Sequence, residues 1–301
     1  MTERCGFVAI AGRPNAGKST LLNALIGEKV AIVADKPQTT RTTVQGVLTL
    51  PEGQIIFVDT PGIHRSDSYF NRRMMSSVRE ALDAPDVRVY IFDASTEPGD
   101  EDWQALDSLK RAHRMIERPS LLVLNKIDLV EDKRLILPLI EKFKQQHEFD
   151  DYFPVSASRG EGLEGLRAAI LERLPEGPAL FPPDYLTDQP ERYLAAEMIR
   201  EQILNVTHDE VPHAVAVNIE KWEEKPKLTH ILATITVERE GQKAIVIGAK
   251  GQTLKRIGTN ARLEIEPFLD RKVFLELFVK VKPKWRTDEA FVNQLDWRTN
   301  G

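Results

Sequence analysis

A glycine-rich run near the start of the chain has the composition and spacing of a phosphate-binding loop. It matches the pattern Gly-x-x-x-x-Gly-Lys-Ser and follows an apolar run that ends at Ala11. Backbone N–H groups of such a loop can converge on phosphate oxygens, Lys18 can reach the β and γ phosphates, and Ser19 can ligate Mg²⁺. The alternative is an ordinary glycine turn ahead of a helix. We expect phosphate contacts from Gly12, Asn15, Ala16, Gly17, Lys18, Ser19 and Thr20.

A second segment, Asp59-Thr60-Pro61-Gly62, ends another apolar run and suits a metal-bound phosphate. Asp59 can hold Mg²⁺ through a water molecule, and the Gly62 N–H can meet a γ phosphate. By itself the tetrapeptide is also an ordinary turn after a strand. The tetrapeptide therefore indicates a metal-bound phosphate only in combination with the phosphate-binding loop.

A third segment, Asn125-Lys126-Ile127-Asp128, can select the base of a nucleotide. Guanine presents N1–H and an exocyclic amino group side by side, and one buried carboxylate can accept both hydrogen bonds, which adenine cannot offer. We expect Asp128 to choose guanine, Asn125 to add a polar contact and Lys126 to lay its stem along the ring. A fourth segment, Ser156-Ala157-Ser158, follows the next β-rich run. We expect Ser156 and Ala157 at the base, with the Ala157 N–H on the guanine carbonyl oxygen.

Six short β-rich runs and the helical stretches between them must position these motifs. Several runs are apolar on consecutive residues, as in strands covered on both faces. The predicted strands are Phe7–Ala11, Val44–Leu50, Gln54–Asp59, Val87–Asp93, Ser120–Asn125 and Tyr152–Ser156. The predicted helices are Ser19–Ile26, Asn71–Asp83, Glu101–His113, Arg134–His147 and Leu163–Leu174. This alternation predicts an α/β domain with a mostly parallel, doubly wound sheet, in which all four motifs lie at the carboxyl ends of strands, where ligands bind.

Five prolines between residues 175 and 190 mark a boundary, because proline continues neither a helix nor a central strand. We expect a nucleotide-binding domain over residues 1–174, a proline-rich linker over 175–190 and a second domain over 191–301. The second domain is predicted to be a smaller α+β domain with alternating strands. Its elements are expected at Glu191–Val206 (helix), Ala214–Trp222 and Thr229–Glu238 (strands), Gln242–Ile247 and Gln252–Pro267 (helices) and Val273–Val281 (strand).

A tight turn, Gly248-Ala249-Lys250-Gly251, lies between two predicted helices of the second domain. The glycines let the backbone lie against a nucleic-acid backbone, and Lys250 projects charge there. Residues 243–286 hold 11 basic and 4 acidic residues, although the whole chain has a net charge of -5. The alternatives are a simple turn and a solvated charged surface. We expect RNA contacts from Gly248, Ala249, Lys250, Gly251, Lys255 and Arg256.

The composition is ordinary for a globular protein of 301 residues, with 41 Lys and Arg and 46 Asp and Glu. The single cysteine, Cys5, excludes an internal disulfide and a cluster of metal-bound thiolates, which favours the cytosol. No apolar run approaches the roughly 20 residues that a membrane-spanning helix needs. We therefore expect a cytoplasmic protein.

Taken together over residues 7–174, the four motifs resemble the translation-factor-like P-loop GTPases. The resemblance implies GTP hydrolysis with Mg²⁺ and a first switch loop at residues 34–43. Thr40 is the first choice, and Thr39 the second, for closing over Mg²⁺ and the γ phosphate. The switch residues that it implies are Gln38, Thr39, Thr40, Arg41, Asp59, Thr60, Pro61, Gly62 and Ile63.

One position departs from the Ras-like pattern. Ile63 stands where those enzymes place a water-orienting glutamine, and an apolar side chain cannot orient water. We therefore expect slow intrinsic hydrolysis. Asn15 resembles the asparagine that holds a potassium ion in some GTPases with a hydrophobic residue at that position, and K⁺ would then supply charge near the phosphates.

A P-loop GTPase followed by a proline-rich linker and a helix-first KH domain resembles the Era family of GTPases, and this resemblance covers nearly the whole chain. Three segments carry it in combination, namely Gln38-Thr39-Thr40-Arg41, Val246-Ile247-Gly248-Ala249-Lys250-Gly251 and Val279-Lys280-Val281-Lys282. The resemblance implies binding to the 3′ end of small-subunit ribosomal RNA, a role in maturing the small ribosomal subunit and a peripheral association with the inner membrane. We expect a monomer.

Two alternatives stay open. One is an RNA chaperone that holds the nucleotide only as a structural ligand. The other is a GTPase whose C-terminal domain docks protein or membrane and not RNA.

Overall fold

The structure, a computed structural model, describes residues 3–36, 39–61, 70, 76, 81 and 85–295. By its contacts the chain divides into two units. The first takes in the described residues of Met1–Ala31, Thr40–Ser66 and Arg73–Asp188. The second takes in those of Ile32–Thr39, Asp67–Arg72 and Gln189–Gly301.

The first unit contains a sheet of six strands, namely β1 (Arg4–Ala11), β2 (Val44–Leu50), β3 (Gly53–Asp59), β4 (Val87–Asp93), β5 (Ser120–Asn125) and β6 (Asp151–Pro154). Their order is β2-β3-β1-β4-β5-β6, in which β2 is antiparallel to β3 and the other pairs are parallel. Its helices are α1 (Lys18–Ile26), α2 (Asp100–Met115), α3 (Ile136–Lys144) and α4 (Leu163–Arg173).

Consecutive apolar residues of the central strands serve two cores, one on each face of the sheet. Val8 and Ile10 of β1 pack with residues of α1 and α4, whereas Ala9 and Ala11 pack with residues of α2 and α3. Side chains of a strand alternate between the faces of a sheet, so a strand covered on both faces must be apolar throughout. This is the mostly parallel, doubly wound sheet that the sequence predicts.

The strand register brings the four motif-bearing loops to one edge of the sheet. Ile10 at the end of β1 pairs with Asp59 at the end of β3, and Asp93 at the end of β4 pairs with Asn125 at the end of β5. The loops that follow these strands therefore start at the same level, as the parallel arrangement requires.

The proline-rich segment contacts β2 and β3. The Gln54 side chain accepts hydrogen bonds from the backbone N–H groups of Leu180 and Phe181, at 2.9 Å each, and donates to the Phe181 carbonyl at 3.0 Å. The Val47 N–H donates to the Leu186 carbonyl at 2.8 Å. The prolines of residues 175–188 have no N–H group to donate. The segment is held instead by the Gln54 side chain of β3 and the Val47 backbone of β2.

The elements of the second unit are α5 (Glu191–Val206), α6 (Val211–Ala214), β7 (Ala216–Lys225), β8 (Leu228–Val237), α7 (Glu240–Ile247), α8 (Gln252–Leu269), β9 (Lys272–Val281) and α9 (Glu289–Leu295). Its three strands form a sheet with the order β7-β8-β9, in which β7 and β8 are antiparallel and β8 and β9 parallel. Ile231, Ala233, Ile235 and Val237 of β8 alternate into a core shared with its helices.

Two predicted elements begin two residues later than expected. The strand expected from Ala214 begins at Ala216, because Val211–Ala214 forms a one-turn helix with proline in its first turn. The helix expected over Arg134–His147 spans Ile136–Lys144, after a separate turn of 3₁₀ helix that the Asp132 side chain caps through the Arg134 N–H. The helix α9 is not predicted from the sequence, and the helix expected at 71–83 lies almost wholly outside the described residues.

Within the described parts of the chain, no helix combines the length and the apolar content that crossing a membrane requires.

Candidate functional site

The phosphate-binding loop joins β1 to α1 and depends on glycine at two positions. Gly17 has a φ of 98°, and a Cβ there would lie 2.3 Å from the Asn125 amide nitrogen. A Cβ at Gly12 would lie 2.4 Å from the Ile91 carbonyl oxygen. Asn15 also adopts the left-handed region, with a φ of 62°. The loop therefore has little room for other side chains, as close backbone approach to phosphate requires.

Lys18 is buried under this loop. Its Nζ donates hydrogen bonds to the carbonyl oxygens of Gly12, at 3.2 Å, and Arg13, at 2.9 Å. Burial lowers the pKa of Lys18 to about 8, because a desolvated ammonium group has lost its hydration. The partners of this ammonium group are neutral carbonyl oxygens, and phosphate oxygens bound at the loop would add a negatively charged partner.

Three oxygen-bearing side chains converge beside Lys18. Ser19 Oγ lies 2.8 Å from Asp59 Oδ2 and 2.7 Å from Thr40 Oγ1, and Thr40 Oγ1 lies 3.5 Å from Asp59 Oδ2. Asp59 is fully buried, and its Oδ1 has no hydrogen-bond partner among the described residues. Burial raises the pKa of Asp59 to about 6. A hydroxyl pair and a desolvated carboxylate are the hard oxygen ligands that Mg²⁺ prefers, so these residues fit a magnesium ion.

The other predicted switch residues are placed as follows. The Thr39 hydroxyl donates to the carbonyl oxygens of Ala34 and Lys36, so Thr40 and not Thr39 reaches Ser19. Thr60 is buried and donates to the Ile10 carbonyl at 2.9 Å. Arg41 and Pro61 are buried, whereas Thr20 in the first turn of α1 is half-buried. Gln38, Gly62 and Ile63 lie outside the described residues.

Asp128 is held as an ionised acceptor. It lies in a short 3₁₀ turn, and its Oδ1 accepts a hydrogen bond of 2.6 Å from Ser156 Oγ. This hydrogen bond lowers the pKa of Asp128, and the Arg159 guanidinium, 3.7 Å from Oδ2, acts in the same direction. The side chain is about a tenth exposed, so it is less buried than the sequence analysis expects. A carboxylate has several acceptor sites, and those that Ser156 leaves free can meet the two guanine donors.

Asn125 joins three of the loops to one another. Its Nδ2 donates to the Ala16 carbonyl, and its Oδ1 accepts from the Ala157 N–H, both at 3.0 Å, in a side chain that is 2% exposed. The sequence predicts that the Asn125 amide touches the base and that the Ala157 N–H meets the guanine carbonyl oxygen. In the structure these two groups form a hydrogen bond with each other. Asn125 thus fixes the phosphate-binding loop against the two base-selecting loops.

Asp93 is a site residue that sequence reasoning misses. Its Oδ2 lies 2.7 Å from Lys126 Nζ, which also donates to the Asn15 carbonyl at 2.9 Å. The Arg13 guanidinium lies 3.5 Å from the same oxygen. Asp93 could have been found from its position, because it is the last residue of an apolar strand and the ends of neighbouring strands carry the other motifs.

The Gly-x-x-Gly turn of the second unit presents an exposed basic corner between α7 and α8. Gly248 has a φ of 72°, and a Cβ there would lie 2.1 Å from Thr253 Oγ1, so the turn requires glycine. Lys250 adopts the left-handed region with a φ of 51° and is exposed, as are Lys255 and Arg256 on the first turns of α8. Ile245, 53% exposed on α7, places apolar surface beside this corner.

Several other basic residues of the second unit are paired with carboxylates. Five of those near β9 each lie within 4.0 Å of a carboxylate, namely Arg271, Lys272, Lys280, Lys282 and Arg286. By contrast, Lys250, Lys255 and Arg256 form no ion pair with any residue that the structure describes. Uncompensated positive charge therefore lies at the Gly-x-x-Gly turn, where a polyanion backbone would approach, and Lys243, Arg262 and Lys284 likewise pair with no carboxylate that the structure describes.

Comparisons with known proteins agree with both halves of this architecture. A family model described as a 50S ribosome-binding GTPase matches residues 7–126, and a KH-domain model matches residues 210–286. The chain is 46% identical over 296 residues to GTPase Era of Geobacter metallireducens, covering 98% of each chain. It is 43% identical over 301 residues to GTPase Era of Ruminiclostridium cellulolyticum, covering 100% of this chain and 99% of the relative.

Two solved structures share the fold over nearly the full chain. One is Era in complex with MgGDPNP and nucleotides 1506-1542 of 16S ribosomal RNA, with a TM-score of 0.93 and 41% identity. The other is a variant of Aquifex aeolicus Era bound to GDP and AlF4⁻, with a TM-score of 0.92 and 41% identity. Each comparison covers 97% of this chain and 98% of the other.

Proposed function

Because the chain belongs to the Era family of GTPases, we propose that it is a GTP-hydrolysing switch whose second unit binds the 3′ end of small-subunit ribosomal RNA during assembly of that subunit. Family membership confirms the predicted fold, a P-loop GTPase domain followed by a KH domain, and the predicted GTP hydrolysis. It also argues against the alternative in which the nucleotide is only a structural ligand.

The convergence of the four loops at one sheet edge is the observation that carries the nucleotide assignment. Lys18 and backbone N–H groups of the phosphate-binding loop, from Asn15 to Ser19, bind the phosphates, and Asp128 binds the guanine edge. Ser19 and Thr40 would hold Mg²⁺ directly and Asp59 through water, and the ion would neutralise charge on the phosphates. We propose that the chain acts by positioning and charge stabilisation, with no covalent nucleophile.

The potassium requirement is a further part of the proposal. Asn15 lies in the phosphate-binding loop in the left-handed conformation, with its side chain half-buried beside the expected phosphates. With Ile63 unable to orient water, additional positive charge near the phosphates would stabilise the transition state. We propose that K⁺ supplies this charge.

Turnover of GTP is therefore expected to be higher in potassium than in sodium buffer, on the order of 10-fold. Steady-state phosphate release at matched ionic strength measures the difference. Asn15→Gly is the matched control, because glycine accepts the positive φ of residue 15 and removes only the side chain. The variant should turn over equally in both salts, and equal turnover of the unsubstituted protein would refute the role of K⁺.

The RNA assignment rests on the exposed basic turn and on the solved Era structure that contains 16S ribosomal RNA nucleotides. Lys250, Lys255 and Arg256 offer positive charge without competing carboxylates, and Ile245 offers apolar surface for bases. Single-stranded RNA is recognised by such a combination of backbone charge and base contacts. We propose that nucleotides near the 3′ end of the small-subunit RNA bind across this turn.

The double variant Lys250→Glu with Lys255→Glu is expected to weaken binding of a short RNA copied from the small-subunit 3′ end by about 10- to 100-fold. The salt dependence should also fall, by a slope of about 0.7 for each lost phosphate contact. Fluorescence anisotropy, with GDP and with a non-hydrolysable GTP analogue, gives both quantities and the free-energy coupling between nucleotide and RNA.

A control with the same charge change is Lys225→Glu with Lys227→Glu. Lys225 is the last residue of β7, and Lys227 lies in the turn immediately before β8. This control should leave RNA affinity nearly unchanged. Equal losses in both variants would mean that general charge, and not the Gly-x-x-Gly turn, binds RNA.

We also propose a weak peripheral contact with anionic membrane through the same basic turn, since surface lysines near an anionic leaflet each add on the order of 1 kcal/mol. Co-sedimentation with vesicles of phosphatidylglycerol and phosphatidylethanolamine tests this contact. If the Lys250 and Lys255 variant lost vesicle binding and kept RNA binding, the second unit would be a membrane-docking module.

A further inference from the structure

Lys126 is held at both ends of its side chain. Its backbone lies in the left-handed region, with a φ of 62°, immediately before the short turn that carries Asp128. Its Nζ donates to the Asn15 carbonyl at 2.9 Å and to Asp93 Oδ2 at 2.7 Å. A free lysine side chain samples many rotamers, so two partners on one ammonium group restrict the stem that joins this group to the backbone.

The stem of Lys126 follows the phosphate-binding loop. A Cβ at Gly17 would lie 4.0 Å from Lys126 Cε, which is ordinary van der Waals contact. The stem therefore lies against the backbone of the loop, on its way to the two groups that Nζ binds. The proposed contact of this stem with the guanine ring depends on that path, because a side chain free to turn away would leave the ring uncovered.

Asp93 is itself fixed where it meets Lys126. Its Oδ1 accepts hydrogen bonds from Ser95 Oγ, at 2.6 Å, and from the Ser95 N–H, at 3.1 Å, which leaves Oδ2 for Lys126. Asp93 ends β4 and is 4% exposed. Burial alone would raise the pKa of Asp93, but hydrogen bonds from Lys126 and Ser95 outweigh burial and lower this pKa. The carboxylate therefore stays charged, and Lys126 lies nearer to its Oδ2 than the Arg13 guanidinium does, at 2.7 Å against 3.5 Å.

We infer that Asp93 is a positioning residue for guanine-nucleotide binding, which fixes the Lys126 ammonium group so that the Lys126 stem covers the guanine ring. This role rests on the proposed contact between Lys126 and the base. A base contact is the same in bound GTP and in the transition state of its hydrolysis, so Asp93 contributes to nucleotide affinity and not to the rate of the bound complex. The end of β4 thereby joins the loops that bind the nucleotide.

Competition of GDP against a fluorescent nucleotide measures this contribution. Asp93→Ala removes both carboxylate oxygens and should weaken GDP binding by about 10- to 100-fold, the range for a hydrogen bond to a charged group. Asp93→Asn keeps an acceptor oxygen without the charge and should recover part of that loss. At saturating GTP, single-turnover hydrolysis should stay within about twofold of the original rate in both variants.

A double-mutant cycle with Lys126→Met shows whether Asp93 acts through Lys126. Methionine keeps an unbranched, largely apolar stem and lacks the ammonium group. In that background Asp93→Ala should cause no further loss of GDP affinity, because the group that Asp93 positions is gone. A loss of equal size with and without the Lys126 ammonium group would overturn the inference. A lower rate at saturating GTP with GDP affinity unchanged would overturn it too.

Thr96→Ala is the matched control for damage to the loop after β4. The Thr96 hydroxyl donates to the backbone carbonyl of Asp93 at 3.2 Å, so the substitution alters the same loop and leaves the contact between carboxylate and ammonium group in place. It should keep the original GDP affinity. An equal loss in Thr96→Ala and Asp93→Ala would show a general structural role and overturn the inference. Should Asp93→Ala fail to fold, Asp93→Asn takes its place in the same cycle.

The same measurements separate this inference from the proposed site. If Lys126→Met bound GDP as tightly as the original protein, the contact of Lys126 with the base would fail, and the inference with it. If Lys126→Met lost affinity while both Asp93 variants kept it, only the inference would be overturned.

Discussion

Asp128→Asn should lower the affinity for guanine nucleotides by about 10³-fold and make xanthine nucleotides the preferred ligands. The carboxylate accepts from both guanine donors, whereas an amide presents one donor and one acceptor to them. Xanthine replaces the exocyclic amino group with a carbonyl oxygen, which the amide nitrogen of Asn can meet. Competition of GDP and XDP against a fluorescent nucleotide, in both proteins, measures the exchange of preference.

The structure also supplies a graded control for that experiment. Ser156→Ala removes the 2.6 Å hydrogen bond that orients Asp128 but leaves the carboxylate in place. It should weaken GDP binding by about 10- to 100-fold, the value of one hydrogen bond to a charged group, without improving XDP binding. Unchanged guanine selectivity in Asp128→Asn would remove this residue from the base-binding role.

The arrangement of the nucleotide loops could be predicted because it follows from strand order and apolar patterning. Consecutive apolar residues in several of the β-rich runs indicate burial on both faces, and parallel strands place their carboxyl ends at one edge. Lys18, Asp59 and Asp128 could therefore be assigned to one site before any distance was known. Their chemistry depends on residue type and on the strand that precedes each of them.

The contacts that tie the loops together could not be predicted in the same way. Asn125 was expected at the base, and its actual partners, Ala16 and Ala157, lie 109 and 32 residues away in sequence. Such a contact leaves no local pattern, since both partners contribute only backbone groups. The packing of Val33 with the second unit is of the same kind, because Val33 and its partner Glu201 are 168 residues apart.

The pairing of charged residues also could not be predicted from the sequence. The excess of basic residues between 243 and 286 is visible in the sequence, but the count does not say which charges are compensated. Partners such as Glu224 and Glu238 come from β7 and from the residue after β8, outside that segment. Only the positions in space show that Lys250, Lys255 and Arg256 at the Gly-x-x-Gly turn are among the charges that have no carboxylate partner.

Lys18→Met should weaken binding of MgGDP by about 10²- to 10³-fold, the usual consequence of removing one partner from a buried charge pair. Methionine matches the length and the apolar stem of lysine, so it fills the buried space under the loop without the ammonium group. Isothermal titration calorimetry at pH 7 measures the loss. Binding within a few-fold of the original protein would show that Lys18 does not contact the phosphates.

The same lysine predicts a proton that accompanies the ligand. In the nucleotide-free protein burial lowers the pKa of Lys18 to about 8. The phosphates raise this pKa, because they favour the charged form. Free and bound protein carry the same proton well below pH 8, so affinity is greatest there and falls as the pH rises through 8. At pH 8.5 binding should therefore take up about 0.7 proton.

Calorimetry of GDP binding at pH 8.5 in two buffers of different ionisation enthalpy measures this uptake directly. Lys18→Arg is the matched control, since a guanidinium stays protonated throughout this range and binds with no uptake of its own. Any proton that comes from the guanine ring or the diphosphate persists in the variant, so the difference between the two proteins belongs to residue 18. An equal uptake in both proteins would mean that Lys18 is already fully charged in the nucleotide-free protein. Burial under the loop would then not lower the pKa of Lys18.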